Sequence, residues 1–248
     1  MIPHPDSLTG LRVAVTGGTS GLGLALVEAL HQRGAAVAFV ARHPESVSAT
    51  AGSHPGTHGI VGDVARKDET YAIALRITAA LGGLDVLINN ASSLGPVPLA
   101  PLADTDCEDL ELALATNLVG PFRLTKALVG ALAAAARERL PALVINVISD
   151  AAITPYAGWG AYGASKAALL HLSRIWDAEL EPHGIRVHAI DPGDMDTPLH
   201  ALAVPGADPA TLKSPAEAAR EVIDLIAAQV HEKEMLDAAR GRADATPA

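Results

Sequence analysis

Cysteine is almost missing from this chain: Cys107 is the only one among 248 residues. No internal disulfide can form, and with no disulfide framework to point to export, the expected home is the reducing cytoplasm. Aromatic residues are scarce at 3%, so helices and strands must pack through small aliphatic side chains. Cations are in deficit. Lys and Arg number 18 against 28 Asp and Glu, a net charge of −10, which argues against nucleic acid or an anionic membrane surface as a partner. No run reaches the ~18 uninterrupted apolar residues of a membrane helix. The alanine-rich stretch near Ala133 is cut by Arg137, Glu138 and Arg139. The first residues, Met1 to Asp6, show neither the basic nor the apolar region of a signal peptide. His54 and His58 lack the companions a metal site needs, and no metal is expected.

What the chain does have is aliphatic bulk. It is 49% hydrophobic, enough for a sizeable core, and no internal repeat or domain boundary breaks it. One domain over residues 1–248 is expected. Short apolar runs alternate with helical patterns from end to end, which predicts an α/β fold: a doubly wound parallel sheet, Rossmann-like, in three αβα layers. The strands are read at Arg12–Thr16, Ala36–Ala41, Gly59–Gly62, Leu84–Asn89, Ala142–Ile148 and Arg186–Asp191. A polar segment from Ser46 to His58 is read as a loop. One long helix is read from Asp104 to Arg137. Residues 194–213 are read as a long loop, and 237–248 as a polar, frayed tail. Ser214-Pro-Ala-Glu217 opens the last helix with a capping box.

Two stretches carry chemistry. The first is Thr16-Gly-Gly-Thr-Ser-Gly-Leu-Gly23, between a strand and a helix. Its glycines permit a tight turn and close backbone approach, and the helix N-terminus behind them can hold a phosphate. An acidic residue at the end of the second strand would bond the ribose hydroxyls of NAD. Here Ala41 stands there and Arg42 follows. Arginine pairs well with a 2′-phosphate, so NADP is favoured over NAD; the competing reading is a solvated arginine. Asp63 could accept from an adenine amino group or cap the following helix. Asn89-Asn90-Ala91-Ser92 can tie strand ends together or form a plain Asx turn. Pro121 lacks an N–H, so the carbonyl of Asn117, four residues earlier, loses its helical partner and could hold a water.

The second stretch runs from Ser149 to Lys166. Ser149 ends a buried strand, at the edge where open α/β sheets bind ligands. Tyr162 and Lys166 lie one turn apart on a helix and can share a site. A cation close to a phenol favours the phenolate and lowers its pKa from ~10, which would suit proton exchange with a substrate oxygen near neutral pH.

These motifs, with Pro192-Gly193 after the sixth strand, make the chain resemble the short-chain dehydrogenase/reductase family over roughly residues 11–228. The resemblance implies hydride transfer between a nicotinamide cofactor and a carbonyl or alcohol. It implies Tyr162 as general acid/base, Lys166 on the nicotinamide ribose, Ser149 on the substrate oxygen, and Asn117 holding a relay water. It implies that Gly17, Gly21 and Gly23 face the pyrophosphate, in a loop that includes Thr19, Ser20 and Leu22. Asp63 and Val64 would contact adenine, Asn90 and Ala91 the adjacent ribose region, and Pro192, Gly193 and Thr197 the nicotinamide. A small-molecule substrate and a homodimer are implied as partners. Three departures stand out: Ser92 in place of the usual glycine, Asp150 beside Ser149, and no sign of the family's common seventh strand. Asp150 is read as either a solvated loop residue or a shaper of substrate choice. The runner-up function is a non-catalytic NADP-binding regulator on the same fold.

Overall fold

The computed structural model describes residues 7–138 and 140–244, with side chains described through His231. Six parallel strands form one sheet in the order β3-β2-β1-β4-β5-β6. These are β1 (Arg12–Thr16), β2 (Ala36–Ala41), β3 (His58–Val61), β4 (Val86–Asn89), β5 (Leu143–Val147) and β6 (Arg186–Ile190). Central β1 pairs on both sides, with Val13 opposite Val37 of β2 and Val86 of β4. A strand in mid-sheet must be apolar on both faces. Val13 and Val15 point into one core, while Ala14 between them points into the other, the period-two alternation of a pleated strand.

The first core is closed by α1 (Gly21–Gln32), α2 (Pro44–Ser53) and α8 (Pro215–Asp244). The second lies under α3 (Thr70–Leu81), α5 (Gly120–Arg137) and α6 (Gly160–Leu180). The chain winds outward from β1 in one direction and from β4 in the other. The two strands part at their carboxyl ends, and such a switch point opens a ligand cleft. Among the described residues no strand follows β6, in keeping with the expected lack of a seventh.

Three segments differ from the sequence reading. The supposed loop from Ser46 is largely helix α2: Pro44 and Glu45 favour a helix start, and only Val47 and Thr50 turn inward. That stripe is too narrow to show as a period. The supposed single helix from Asp104 is divided into α4 (Cys107–Leu114), a π turn (Ala115–Val119) and α5. Pro121 cannot close the regular ladder, and the turn just before it widens to π spacing. Length and composition alone would let Cys107–Arg137 cross a bilayer, yet Leu124, Leu128 and Leu132 are buried against the sheet. The long loop after β6 contains α7 (Pro198–Ala203), capped by Thr197, whose Oγ1 accepts from His200 N at 3.2 Å. The base of this loop is pinned where Met195 bridges Lys213.

The capping box at α8 is formed: Ser214 N donates to Glu217 Oε2 at 2.9 Å, and Glu217 N to Ser214 Oγ at 3.2 Å. The backbone of α8 is helical to Asp244; the rest of the expected frayed tail, residues 245–248, lies outside the described residues.

Candidate active site

The turn after β1 is closed by its glycines. Gly17 has φ +71°, and a side chain there would press on Ala91 Cα at 2.9 Å. A Cβ on Gly23 would collide with the Gly17 carbonyl oxygen. Gly21 and Gly23 leave the backbone at the start of α1 open, and its N-cap, Ser20, makes no side-chain capping hydrogen bond. The first-turn N–H groups are not claimed by a cap, an arrangement suited to a phosphate.

Polar groups tie the strand ends beneath the cleft. Thr16 Oγ1 accepts from Asn90 N at 3.0 Å and Ala91 N at 3.1 Å, and Asn90 Nδ2 donates to Thr16 O at 2.9 Å. Asn89 donates to Asn146 at 2.8 Å, and Asn146 to Ser173 at 2.8 Å. Of the readings open for Asn89 and Asn90, the tie between strand ends is the one formed. Asp63 caps no helix. Its Oδ1 accepts from Ala65 N at 2.9 Å in a local turn, while the N-cap of α3 is Glu69.

The buried side chain of Asn117 knits three segments together. Its Nδ2 donates to Ser165 Oγ at 2.8 Å on α6 and to Ser93 O at 2.7 Å; its Oδ1 accepts from Ser93 N at 2.8 Å. The π turn is thereby locked against both α6 and the loop leaving β4.

Tyr162 and Lys166 are 8% and 2% exposed. The Lys166 ammonium donates to Val147 O at 2.7 Å and lies 5.5 Å from the centre of the Tyr162 ring. Burial pushes the phenol up to about 12; hydrogen bonds with Ser149 and Ser92 offset part of this, and the charges of Asp191 and Asp150 add to it. Burial also pulls Lys166 down to about 7, offset in part by Asp191. The sequence reading expects the ammonium to lower the phenol. In the structure burial dominates and the phenol is raised rather than lowered.

The depressed lysine predicts a pH effect on stability. Between about pH 7 and 10.5 the unfolded chain binds a proton at this position that the folded chain does not, so stability rises with pH across that window, by at most ~1.4 kcal/mol per pH unit. Urea unfolding at pH 7 and pH 9.5 should show this rise in the native protein, and a smaller rise in Lys166→Met. Equal slopes would contradict the buried-lysine reading.

Nearly every residue singled out from the sequence lines one cleft of about 510 Å³. Gly23, Asn89 and Asn117 are exceptions and are buried. By the sheet order Arg42 and Asp63, after β2 and β3, lie on one side of the cleft and Ser149, after β5, on the other, while Thr197 stands against Gly21 of the glycine turn. The sequence reading missed Tyr156, Trp159 and Asp191, which line the reaction end. A usable signal existed for the first two, since they fall between Ser149 and Tyr162. Asp150 is more than a solvated loop residue. Its Oδ1 accepts from Ser149 Oγ at 2.9 Å and its Oδ2 from Tyr156 OH at 2.6 Å. The tyrosine bond is the main cause holding its pKa below the usual value. Among the described residues no group of His, Cys, Asp and Glu could hold a metal ion.

Comparison with known proteins agrees with this geometry. A 2,5-dichloro-2,5-cyclohexadiene-1,4-diol dehydrogenase of Sphingobium indicum is 32% identical over 78% of this chain and 76% of its own. A solved short chain dehydrogenase from Shigella flexneri, in complex with NADP, superposes with a TM-score of 0.78 at 26% identity, covering 86% of this chain and 90% of that one. A 3-ketoacyl-(acyl-carrier-protein) reductase from Brucella melitensis, in complex with NADH, shares the fold with a TM-score of 0.80 at 24% identity, covering 87% and 90%. The sequence profile of the short chain dehydrogenases matches residues 12–206. The chain therefore belongs to the short chain dehydrogenase family and is an oxidoreductase.

Proposed function

We propose that this protein, acting as one domain, transfers a hydride between NADP(H) and a small carbonyl or alcohol, with Tyr162 as the proton donor and acceptor. The observation that carries this is the convergence of Tyr162, Lys166 and Ser149 in the cleft that also holds the glycine turn and Arg42. A nicotinamide dinucleotide supplies the hydride when bound. The Gly17–Gly23 turn and the uncapped start of α1 would take its pyrophosphate. Ser149 would hold the substrate oxygen by turning its proton away from Asp150, and Tyr162 would give that oxygen its proton in reduction or remove it in oxidation. A phenol pushed up to about 12 is protonated, the state that the donor in reduction requires; taking up a proton in oxidation would require the phenolate. Lys166 would hold the nicotinamide ribose, and the Asn117 main-chain carbonyl a relay water. The test is a screen of carbonyl compounds, following NADPH absorbance with purified protein. Tight NADPH binding without oxidation by any carbonyl in a broad panel would favour the regulator reading instead. The lone Cys107, exposed and free, fits a cytoplasmic setting.

A homodimer is part of the proposal. Leu112, Phe122 and Ile175 on α4, α5 and α6 are 44%, 37% and 43% exposed, and Phe122 stacks on Trp176 at 5.8 Å. A second copy would cover this apolar surface. Light scattering at micromolar concentration should give about twice the 25.3 kDa chain mass. A monomer would contradict the reading of this surface as an interface between two copies.

A further inference from the structure

The reaction end of the cleft has two unlike walls. One is apolar: Leu94, Ala151 and Tyr162 are buried together, with Trp159 and Leu199 packed on them. The other is acidic, and carries Asp150, Asp191 and Asp194. Asp150 is already engaged by Ser149 and Tyr156, so its charge is fixed in place. Asp191 takes one backbone bond, from Gly193 N to Oδ1 at 2.9 Å. The Asp194 side chain is 76% exposed, and His200 Nε2 lies 3.9 Å from its Oδ1. It makes no hydrogen bond among the described residues. His200 also lines this end, and its Nδ1 is buried with no hydrogen-bond partner among the described residues.

Two groups approach this wall without matching its three carboxylates: Lys166, whose charged form Asp191 favours, and His200, which carries charge only when protonated. Arg42 stands on the opposite side of the cleft. Lys166 is buried and directed at Val147 O. Lys213, behind Gly193, is held by both carboxylate oxygens of Glu221 and by Pro192 O.

We infer that the part of the substrate beyond the reacting carbon carries hydrogen-bond donors, hydroxyl or ammonium, and no negative charge. Asp191 and Asp194 offer that part acceptors only, while Trp159 and Leu199 cover its hydrocarbon face. The inference rests on the oxidoreductase reading above. An ionised carboxylate can accept but not donate, so hydroxyl and ammonium groups meet their complement here. An anionic group meets like charge in a cleft that is only partly shielded. For charges ~6 Å apart, with surroundings between protein surface and bulk water, that repulsion corresponds to roughly 3- to 100-fold in affinity.

The test uses three ketones on one ring: 4-hydroxycyclohexanone, 4-aminocyclohexanone and 4-oxocyclohexanecarboxylate. Their kcat/KM values are measured with NADPH and with NADH. Binding of the three corresponding alcohols to the enzyme with oxidised dinucleotide is measured by calorimetry. The hydroxy or the amino compound should exceed the carboxylate at least threefold in both measurements, and Asp194→Asn should narrow that ratio. A carboxylate that binds or reacts as well as the others overturns the inference, and so does failure of all three to bind. A difference in binding without turnover of any ketone would leave the inference standing and defeat the hydride-transfer reading instead. If the hydroxy and amino compounds both lead, the donor is general. If only the amino compound leads, the wall selects a cation. Both results support the inference.

Discussion

Tyr162→Phe should lower turnover by ~10²–10⁴-fold, the usual contribution of a general acid or base, with little change in NADPH affinity. The substitution removes one oxygen from a side chain that is 8% exposed. The ring keeps its place in the small core with Leu94 and Ala151, and its edge packing on Trp159 at 5.7 Å, so the fold should stay intact. The lost hydroxyl is the group beside Ser149 and Ser92, and the Ser92 proton is directed at Asn117 Oδ1. Ser149 has its own proton directed at Asp150. Steady-state kinetics on the best ketone, alongside NADPH fluorescence titration, separates the two effects. Turnover within tenfold of the native enzyme would sink the assignment.

Arg42→Ala should weaken NADP binding far more than NAD binding. Arg42 is exposed, lines the cleft, and makes no hydrogen bond or ion pair among the described residues. Its guanidinium is therefore available to a 2′-phosphate, the one group that distinguishes the two dinucleotides. A charge-assisted bond is worth roughly 1.5–3 kcal/mol, or about 10- to 100-fold in affinity. The exposed position and salt screening place the effect near the lower limit, about tenfold. The loss should shrink as salt is added. Equal losses for NADP and NAD would show that Arg42 does not read the phosphate.

The readability of this molecule from its sequence follows the range of the interactions involved. The glycine turn, Ser149, and the Tyr162–Lys166 pair are legible because each depends on a few neighbouring residues: a positive φ at Gly17, a strand end, one turn of helix. The strands of the sheet are legible because a doubly covered sheet needs continuous apolar runs. Helix α2 is not, since Val47 and Thr50 make a single short stripe. Asp191 and Asp150 meet near the phenol only because the ends of β5 and β6 lie side by side, with Val147 opposite Ile190. That adjacency is a property of the sheet order. The upward shift of the Tyr162 phenol is hidden for a related reason. The spacing to Lys166 is local, but part of the burial comes from Leu94 and Leu199, which are distant in sequence.

The central claim, hydride transfer with a proton from Tyr162, is tested most directly by isotope tracing. NADPH deuterated on the transferred face of the nicotinamide is turned over with the best ketone from the screen, and the product alcohol is analysed by mass spectrometry. The account predicts one deuterium on the carbinol carbon per NADPH oxidised, with the rate collapsing in Tyr162→Phe. An alcohol free of deuterium, or NADPH oxidised without any alcohol formed, would contradict it.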